Sequence, residues 1–152
     1  MAKATRTSAM AHFSVRISVF LLLIFMQMLI PYFCWDLFAD QRPVTGVTSM
    51  INISIQISFL LPIALVPFAL LAMLFAFYGK DRSVFLLSLV CQTTSSALIL
   101  NCITVFLLRN WIYGSWEHMT FIFYIFVGVE IQLVTVTALS HMSWRRLTPD
   151  WK

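Results

Sequence analysis

Glu130 is the only acidic or basic residue inside the long apolar runs of this sequence. A charged carboxylate within a bilayer costs a few kcal/mol, so we expect Glu130 to face protein or water rather than lipid. No Lys or Arg lies at a comparable position in any of the runs. The uncharged, protonated acid is therefore the expected form, and it can donate a hydrogen bond to a neighbouring helix.

The expected neighbours of Glu130 are polar residues of the preceding apolar run: Gln92, Ser95, Ser96 and Asn101. Antiparallel packing of the two runs brings Ser95 and Ser96 to the depth of Glu130. Three roles follow: a hydrogen bond that fixes helix register, proton or ion coupling, or a contact with the transmembrane helix of a partner. Transporters assemble several intramembrane charges around broken helices, so a single acid favours the structural role.

Other candidate sites are weaker. The sequence Asn52-Ile53-Ser54 fits the N-glycosylation pattern, but its position against the second helix favours an exposed helix-start residue that caps backbone donors. The histidines and cysteines show no metal-ligand spacing and no disulfide pattern: His12, His118, His141, Cys34, Cys91 and Cys102. Since no nucleophile elbow, phosphate loop or carboxylate pair accompanies them, we expect no catalytic residue, no metal and no cofactor.

The composition places these residues in a membrane protein. Hydrophobic residues make up 61% of the 152 residues and charged residues only 11%, outside the range of soluble domains. Four apolar runs are long enough to cross a bilayer, at 17–33, 55–78, 84–108 and 120–140. We expect a single membrane domain over residues 1–152, folded as an all-α, antiparallel four-helix bundle.

Basic residues predict the orientation of the bundle. Eight of the ten Lys and Arg residues lie in the first tail, the turn at Lys80 and the last tail, whereas the other two loops hold only Arg42 and Arg109. The positive-inside rule therefore predicts cytoplasmic N- and C-termini. Because the basic residues are scattered through short segments, the net charge of +4 does not indicate nucleic-acid binding.

The sequence also predicts features of individual segments. Residues 36–49 form the longest loop, and Pro62 and Pro67 interrupt the hydrogen-bond ladder of the second helix. Polar residues point around most of the third helix, so we expect that helix to be the most deeply buried. The residues after Arg146 are expected to form a short tail.

The start of the fourth run resembles the transmembrane protein 107 family. The similar residues follow a pattern of Trp-Glu, then Thr, then alternating aromatics that lead into Ile-Phe-Val: Trp116, Glu117, Thr120, Phe121, Phe123, Ile125 and Phe126. The third run, with Ser88 and Cys91, is also similar to that family. The chain lacks the family's proline in the fourth helix, and Thr137 occupies the position of its acidic residue, so the resemblance assigns no role to Glu130.

The resemblance implies a non-catalytic scaffold of the ciliary transition zone, the membrane gate at the base of the cilium. Such a protein organises other membrane and membrane-associated gate components and supports cilium assembly and ciliary membrane composition. It binds the lipid bilayer and protein partners, with no small-molecule substrate. The alternative is a small proton-linked transporter or an auxiliary channel subunit. A claudin-like junction protein is disfavoured, because the first outer loop is short and lacks paired cysteines.

Overall fold

The chain folds as an all-helical protein in a computed structural model, which describes residues 9–25, 47–113, 120–147 and 151–152. Four α-helices and no strand occur in these ranges. The helices are α1 (Ala9–Phe25), α2 (Val47–Gly79), α3 (Arg82–Tyr113) and α4 (Thr120–Arg145). The expectation of an all-α protein with four helices is confirmed.

The helices begin earlier than, or extend beyond, the spans that the sequence predicts. Helix α1 begins at Ala9 instead of residue 17, and residues 26–33 of that span lie outside the described residues. Helix α2 begins at Val47, so the assignment of residues 47–49 to the preceding loop is wrong. The same helix continues through Pro62 and Pro67, which is tolerated where neighbouring groups satisfy the freed backbone carbonyls.

Two of the described helices carry windows that are long and apolar enough to cross a membrane: Leu60–Gly79 in α2 and Arg82–Val105 in α3. Helix α1 is a shorter apolar helix within its described residues. The outer surface of the bundle is also apolar, with more than half of the side chains of Phe20, Leu71 and Ile131 exposed. An apolar exterior around a packed interior is the pattern that a lipid environment favours.

Buried residues recur along each helix at alternating steps of three and four. This series includes, on α1, Val15, Ser18, Leu22 and Phe25; on α3, Phe85, Ser88, Gln92, Ser95, Ile99 and Cys102; and on α4, Val129, Leu133, Val136, Ser140 and Ser143; further buried residues flank it, among them Leu89, Cys91 and Glu130. This spacing keeps one stripe of each helix against its neighbours and is typical of helices packed nearly parallel or antiparallel in a bundle. Helix α3 packs against both α2 and α4.

The turn between α2 and α3 is fixed by caps at both helix ends. Lys80 adopts a left-handed conformation with φ of 52°, and the Asp81 amide donates to the Ala76 carbonyl over 3.3 Å, which closes α2. Asp81 Oδ1 then accepts hydrogen bonds from the amides of Ser83 (2.8 Å) and Val84 (3.4 Å), which caps α3. Two residues between the helices therefore suffice to reverse the chain.

The last described residues fold back onto this turn. The Lys152 amide donates to the Lys80 carbonyl over 2.9 Å, and the Arg82 amide donates to the Lys152 carbonyl over 2.7 Å. Trp151 is buried, with its ring 5.9 Å from that of Phe85 in an edge-to-face arrangement. Phe85 also stacks on Trp144 at 5.9 Å. The short segment after α4 thus packs on the turn between α2 and α3, a contact that the sequence pattern does not predict, and we call this feature the tail clasp (Trp151, Lys152, Lys80, Arg82 and Phe85).

The first residues of α1 and the last residues of α4 lie at the same end of the bundle as the tail clasp. His12 contacts Phe77 of α2 edge to face at 5.2 Å between ring centroids, and Arg146 Nη1 lies 3.7 Å from Met10 Sδ. We call this end the turn end.

Helix α3 is no more deeply buried than α2. Thr93, Thr94 and Thr104 are exposed, and each hydroxyl donates to the carbonyl four residues earlier in its own helix at 2.8–2.9 Å. The same share of both apolar windows is buried. The expectation that α3 is the most buried helix is wrong. A threonine hydroxyl can donate to a carbonyl of its own helix, so it does not need to be buried against a neighbouring helix.

Candidate functional site in the bundle core

Glu130 contacts one of the four polar residues expected near it. Its side chain is buried, and the Ser96 hydroxyl donates to Glu130 Oε1 over 2.6 Å. This hydrogen bond joins α3 to α4. Glu130 Oε2 is also buried and has no hydrogen-bond partner among the described residues. Half of the carboxyl group is therefore engaged in a helix–helix contact and half remains available.

Gln92 lies one helical turn before Ser96 and donates to Ser88, the residue of α3 that contacts α2. The Ser88 hydroxyl donates to the Ala69 carbonyl over 2.7 Å and accepts from Gln92 Nε2 at 3.2 Å. Gln92 is fully buried, yet its Oε1 has no hydrogen-bond partner in the part of the chain that the structure describes. Ser95 is also fully buried, but its hydroxyl donates to the Cys91 carbonyl of its own helix over 2.7 Å.

Asn101 makes a second contact between α2 and α3. Its Nδ2 donates to the Ser58 hydroxyl of α2 over 2.8 Å. The structure therefore divides the predicted polar set. Ser96 contacts Glu130 of α4, whereas Asn101 contacts α2. Gln92 supports the α2–α3 contact through Ser88, and Ser95 bonds within α3.

Two features of the core were missed by sequence reasoning. Gln132 Nε2 donates to the Leu21 carbonyl over 2.8 Å, which ties α4 to α1. Ser18 of α1 and Ser140 of α4 are fully buried, and within the described ranges neither hydroxyl has a hydrogen-bond partner. The steps of three and four along each run could have indicated that these serines face inward, although not that they are unpaired.

Asn52 lies inside α2, five residues after its first residue, so the interpretation of Asn52 as a helix-start cap is wrong. Its side chain is outside the described residues, and its glycosylation stays a prediction.

The family-like segment is described only in part. Trp116 and Glu117 lie outside the described residues, as do the side chains of Thr120, Phe121, Ile125 and Phe126, whose backbone belongs to α4. Phe123 is half-buried, and its ring contacts that of Tyr124 with centroids 6.1 Å apart.

The described part of the chain contains no candidate metal site. No group of three or more His, Cys, Asp or Glu residues comes together there. Cys91 and Cys102 are buried free thiols on α3. The arrangement around Glu130 can hold helices in register and can bind a further hydrogen-bonding group at Oε2.

A double-mutant cycle tests the Ser96–Glu130 contact. We expect Ser96→Ala and Glu130→Met to show a coupling energy of about 1 kcal/mol, since intramembrane hydrogen bonds contribute amounts of this size. Thermal unfolding of the purified protein in detergent micelles measures it. Thr94→Ala is the matched control, because its hydroxyl bonds only its own helix, at the Val90 carbonyl. A coupling energy near zero would contradict the contact.

Comparison of the chain with models of protein families, with curated proteins and with solved structures gives no match.

Proposed function

We propose that this protein is a non-catalytic membrane scaffold that crosses the bilayer four times and holds partner membrane proteins in place. The main support for the proposal is the contact that Glu130 makes, since Glu130 is the only acidic or basic residue in the apolar runs. Its described contact is a hydrogen bond between α3 and α4. The neighbouring polar contacts likewise join helices, through Ser88, Asn101 and Gln132. The polar groups thus build a rigid bundle, whose outer surface is available to partners.

The lengths of α2 and α3 support a docking surface for partner proteins outside the hydrocarbon core of the bilayer. Helices α2 and α3 have 33 and 32 residues, so each is about 50 Å long, against a hydrocarbon core of about 30 Å. At the ends of these helices far from the α2–α3 turn, Met50, Ile53, Trp111 and Ile112 are all more than half exposed. Exposed apolar side chains at or beyond the headgroup level favour docking of another protein.

Both ends of the chain lie in the cytoplasm in this proposal. The three segments assigned to that side hold eight basic and two acidic residues, a net charge of +6. The two opposite loops hold two basic and three acidic residues, a net charge of −1. This difference is the pattern that orients membrane proteins with their basic loops inside.

We further propose the ciliary transition zone as the location, and other membrane and membrane-associated proteins of that zone as the partners. The support for this step is the resemblance of residues 116–127 to the transmembrane protein 107 family, and the structure adds nothing specific to cilia. The scaffold role rests on the helix contacts and does not depend on this location.

Imaging of the tagged full chain in ciliated cells tests the location, and Ile112 provides a test of the docking surface. We expect signal at the cilium base, and we expect a photo-crosslinker at Ile112 to capture neighbouring membrane proteins there. The matched control is the same crosslinker at Leu71, an exposed residue of the apolar window in α2. Signal elsewhere in the cell would remove the ciliary proposal, and equal capture at both positions would remove the docking surface.

The second candidate is a small proton-linked transporter or an auxiliary channel subunit, because Glu130 Oε2 is buried and no described residue forms a hydrogen bond with it. Glu130→Gln separates the two functions. Glutamine keeps an oxygen that accepts from Ser96 but cannot release a proton, so a scaffold keeps its localisation whereas a proton-coupled flux is abolished. Loss of a measured flux with normal localisation would replace the scaffold by the transporter.

A further inference from the structure

The turn end of the bundle gathers basic residues from the α2–α3 turn, the end of α4 and the tail. Residues 80–82 and 145–152 hold five basic and two acidic residues, a net charge of +3. The side chains of Lys80, Arg145 and Lys152 are exposed. A basic surface attracts anionic groups, and the attraction increases when the fold holds its charges close together.

The tail clasp holds two of these lysines side by side. The Lys152 amide donates to the Lys80 carbonyl over 2.9 Å, and the Lys152 carbonyl accepts from the Arg82 amide over 2.7 Å. The two backbone segments are therefore in direct contact. Each lysine carries its ammonium group on a flexible four-carbon stem, so both groups can reach one ligand that has several negative charges.

Lys80 occupies a position that does not favour lysine. Its φ of 52° is left-handed, a conformation that glycine and asparagine adopt at lower cost. The neighbouring Asp81 carboxylate accepts hydrogen bonds from the amides of Ser83 and Val84, so its charge is directed to the first turn of α3. What lysine adds at position 80, compared with glycine or asparagine, is a positive charge. A residue in a costly conformation is a reason to look for a function of its side chain.

The apolar windows of α2 and α3 both end at this turn. They cover Leu60–Gly79 and Arg82–Val105. Lys80 therefore lies at the boundary of the apolar surface, close to Tyr78, which is 83% exposed. In a membrane, tyrosine and lysine at such a boundary lie at the level of the lipid headgroups. The anionic groups nearest to this surface are thus the phosphates of lipids.

We propose that the turn end binds a phospholipid whose headgroup carries several phosphates, a phosphorylated phosphatidylinositol, through Lys80 and Lys152, with Arg145 as a neighbouring contact. Such a headgroup suits paired ammonium groups better than a lipid with one net charge, because each phosphate can bind its own lysine. Trp151 is a positioning residue, since its burial against Phe85 holds Lys152 on the turn. The inference rests on the proposed membrane insertion of the chain and is independent of protein partners and cellular location.

Native mass spectrometry of the full chain, released from lipid nanodiscs, tests the proposal. The nanodiscs contain phosphatidylcholine with either phosphatidylinositol bisphosphate or phosphatidylserine at the same total charge. We expect the protein to retain the bisphosphate lipid several-fold more often than phosphatidylserine, and equal retention would overturn the proposal. Soluble inositol trisphosphate at the same concentration should not displace the lipid, and displacement would overturn the assignment of a lipid as the ligand.

The behaviour of the chain in liposomes separates this inference from the proposed function. Release of the chain by alkaline carbonate would contradict the proposed membrane insertion and this inference with it. An inserted chain that retains no bisphosphate lipid would contradict this inference alone.

Charge variants test the two lysines. We expect Lys80→Asn and Lys152→Gln each to lower retention about five-fold, the contribution of one basic residue at a membrane surface. Asparagine tolerates the left-handed conformation, and Lys152→Gln keeps both backbone hydrogen bonds of the tail clasp. The matched control is Arg109→Gln, which removes the same charge about 40 Å from Arg82 along α3 and should leave retention unchanged. An equal effect of Arg109→Gln would show that only net charge matters and would overturn the site.

A variant that keeps every charge tests the arrangement of the lysines. Trp151→Ala should lower retention as strongly as Lys152→Gln, because loss of the buried ring frees Lys152 from the turn. Trp151→Phe should restore most of the retention, since a smaller ring can still contact Phe85. Unchanged retention in Trp151→Ala would overturn the role of the tail clasp in forming the site.

Discussion

Replacing Ala69 by leucine is expected to lower the free energy of unfolding by about 3 kcal/mol, at the upper end of the usual cost of overpacking. Ala69 is fully buried, and its carbonyl accepts the Ser88 hydroxyl of α3 over 2.7 Å. The backbones of α2 and α3 therefore approach closely at this point. Three additional carbon atoms would separate the helices, break this hydrogen bond and displace Gln92, which contacts Ser88.

The matched control for this prediction is Ala64→Leu on the same helix. Ala64 is exposed on the outer surface, where a larger side chain displaces no buried group, so a change within about 0.5 kcal/mol is expected. Thermal unfolding of both variants in detergent micelles compares them. A similar loss of stability for the two variants would contradict the close contact of α2 and α3 at Ala69.

The number and type of helices could be predicted because they depend on composition. Long apolar runs separated by charged turns leave a helical bundle as the simplest way to satisfy every backbone group in lipid. Helix ends were less predictable. Helix α2 begins at Val47, within a segment assigned to the loop, since hydropathy marks the apolar part of a helix and not its hydrogen-bonded ends.

Pairing among polar residues was predictable in one respect only. The depth of Ser96 relative to Glu130 follows from antiparallel packing, which needs only the residue count along two helices. The contact of Asn101 with Ser58 and the unpaired state of Ser18 depend on the rotation of each helix about its axis. Hydropathy gives little information on rotation when apolar residues surround the whole helix.

The tail clasp could not be predicted, because Trp151 follows the last helix by six residues and belongs to no periodic pattern. Its partner Phe85 lies 66 positions earlier in the chain. A tryptophan near a basic turn is equally consistent with an anchor in the lipid headgroups. Burial of Trp151 against Phe85 is a tertiary contact that local sequence does not encode.

Removal of the Trp151 side chain is expected to destabilise the protein by about 3 kcal/mol, the lower end of the cost for a buried aromatic residue. Trp151→Ala would expose one edge of Phe85, which is fully buried in the intact protein. It would also release the two backbone hydrogen bonds of Lys152 with Lys80 and Arg82. The helices should persist, so the far-ultraviolet circular dichroism is expected to be nearly unchanged while the unfolding temperature falls.

Amide hydrogen exchange at Arg82 distinguishes loss of the tail clasp from general destabilisation. The Arg82 amide donates to the Lys152 carbonyl, so it is expected to lose its protection in Trp151→Ala, whereas amides in the middle of α3 keep theirs. Trp151→Phe should restore part of both properties, because an aromatic ring can still meet Phe85 edge to face. The control is Tyr78→Ala, a residue 83% exposed beside the same turn. If Tyr78→Ala and Trp151→Ala had equal effects, the tail would be a headgroup anchor and the packing of Trp151 on Phe85 would contribute little stability.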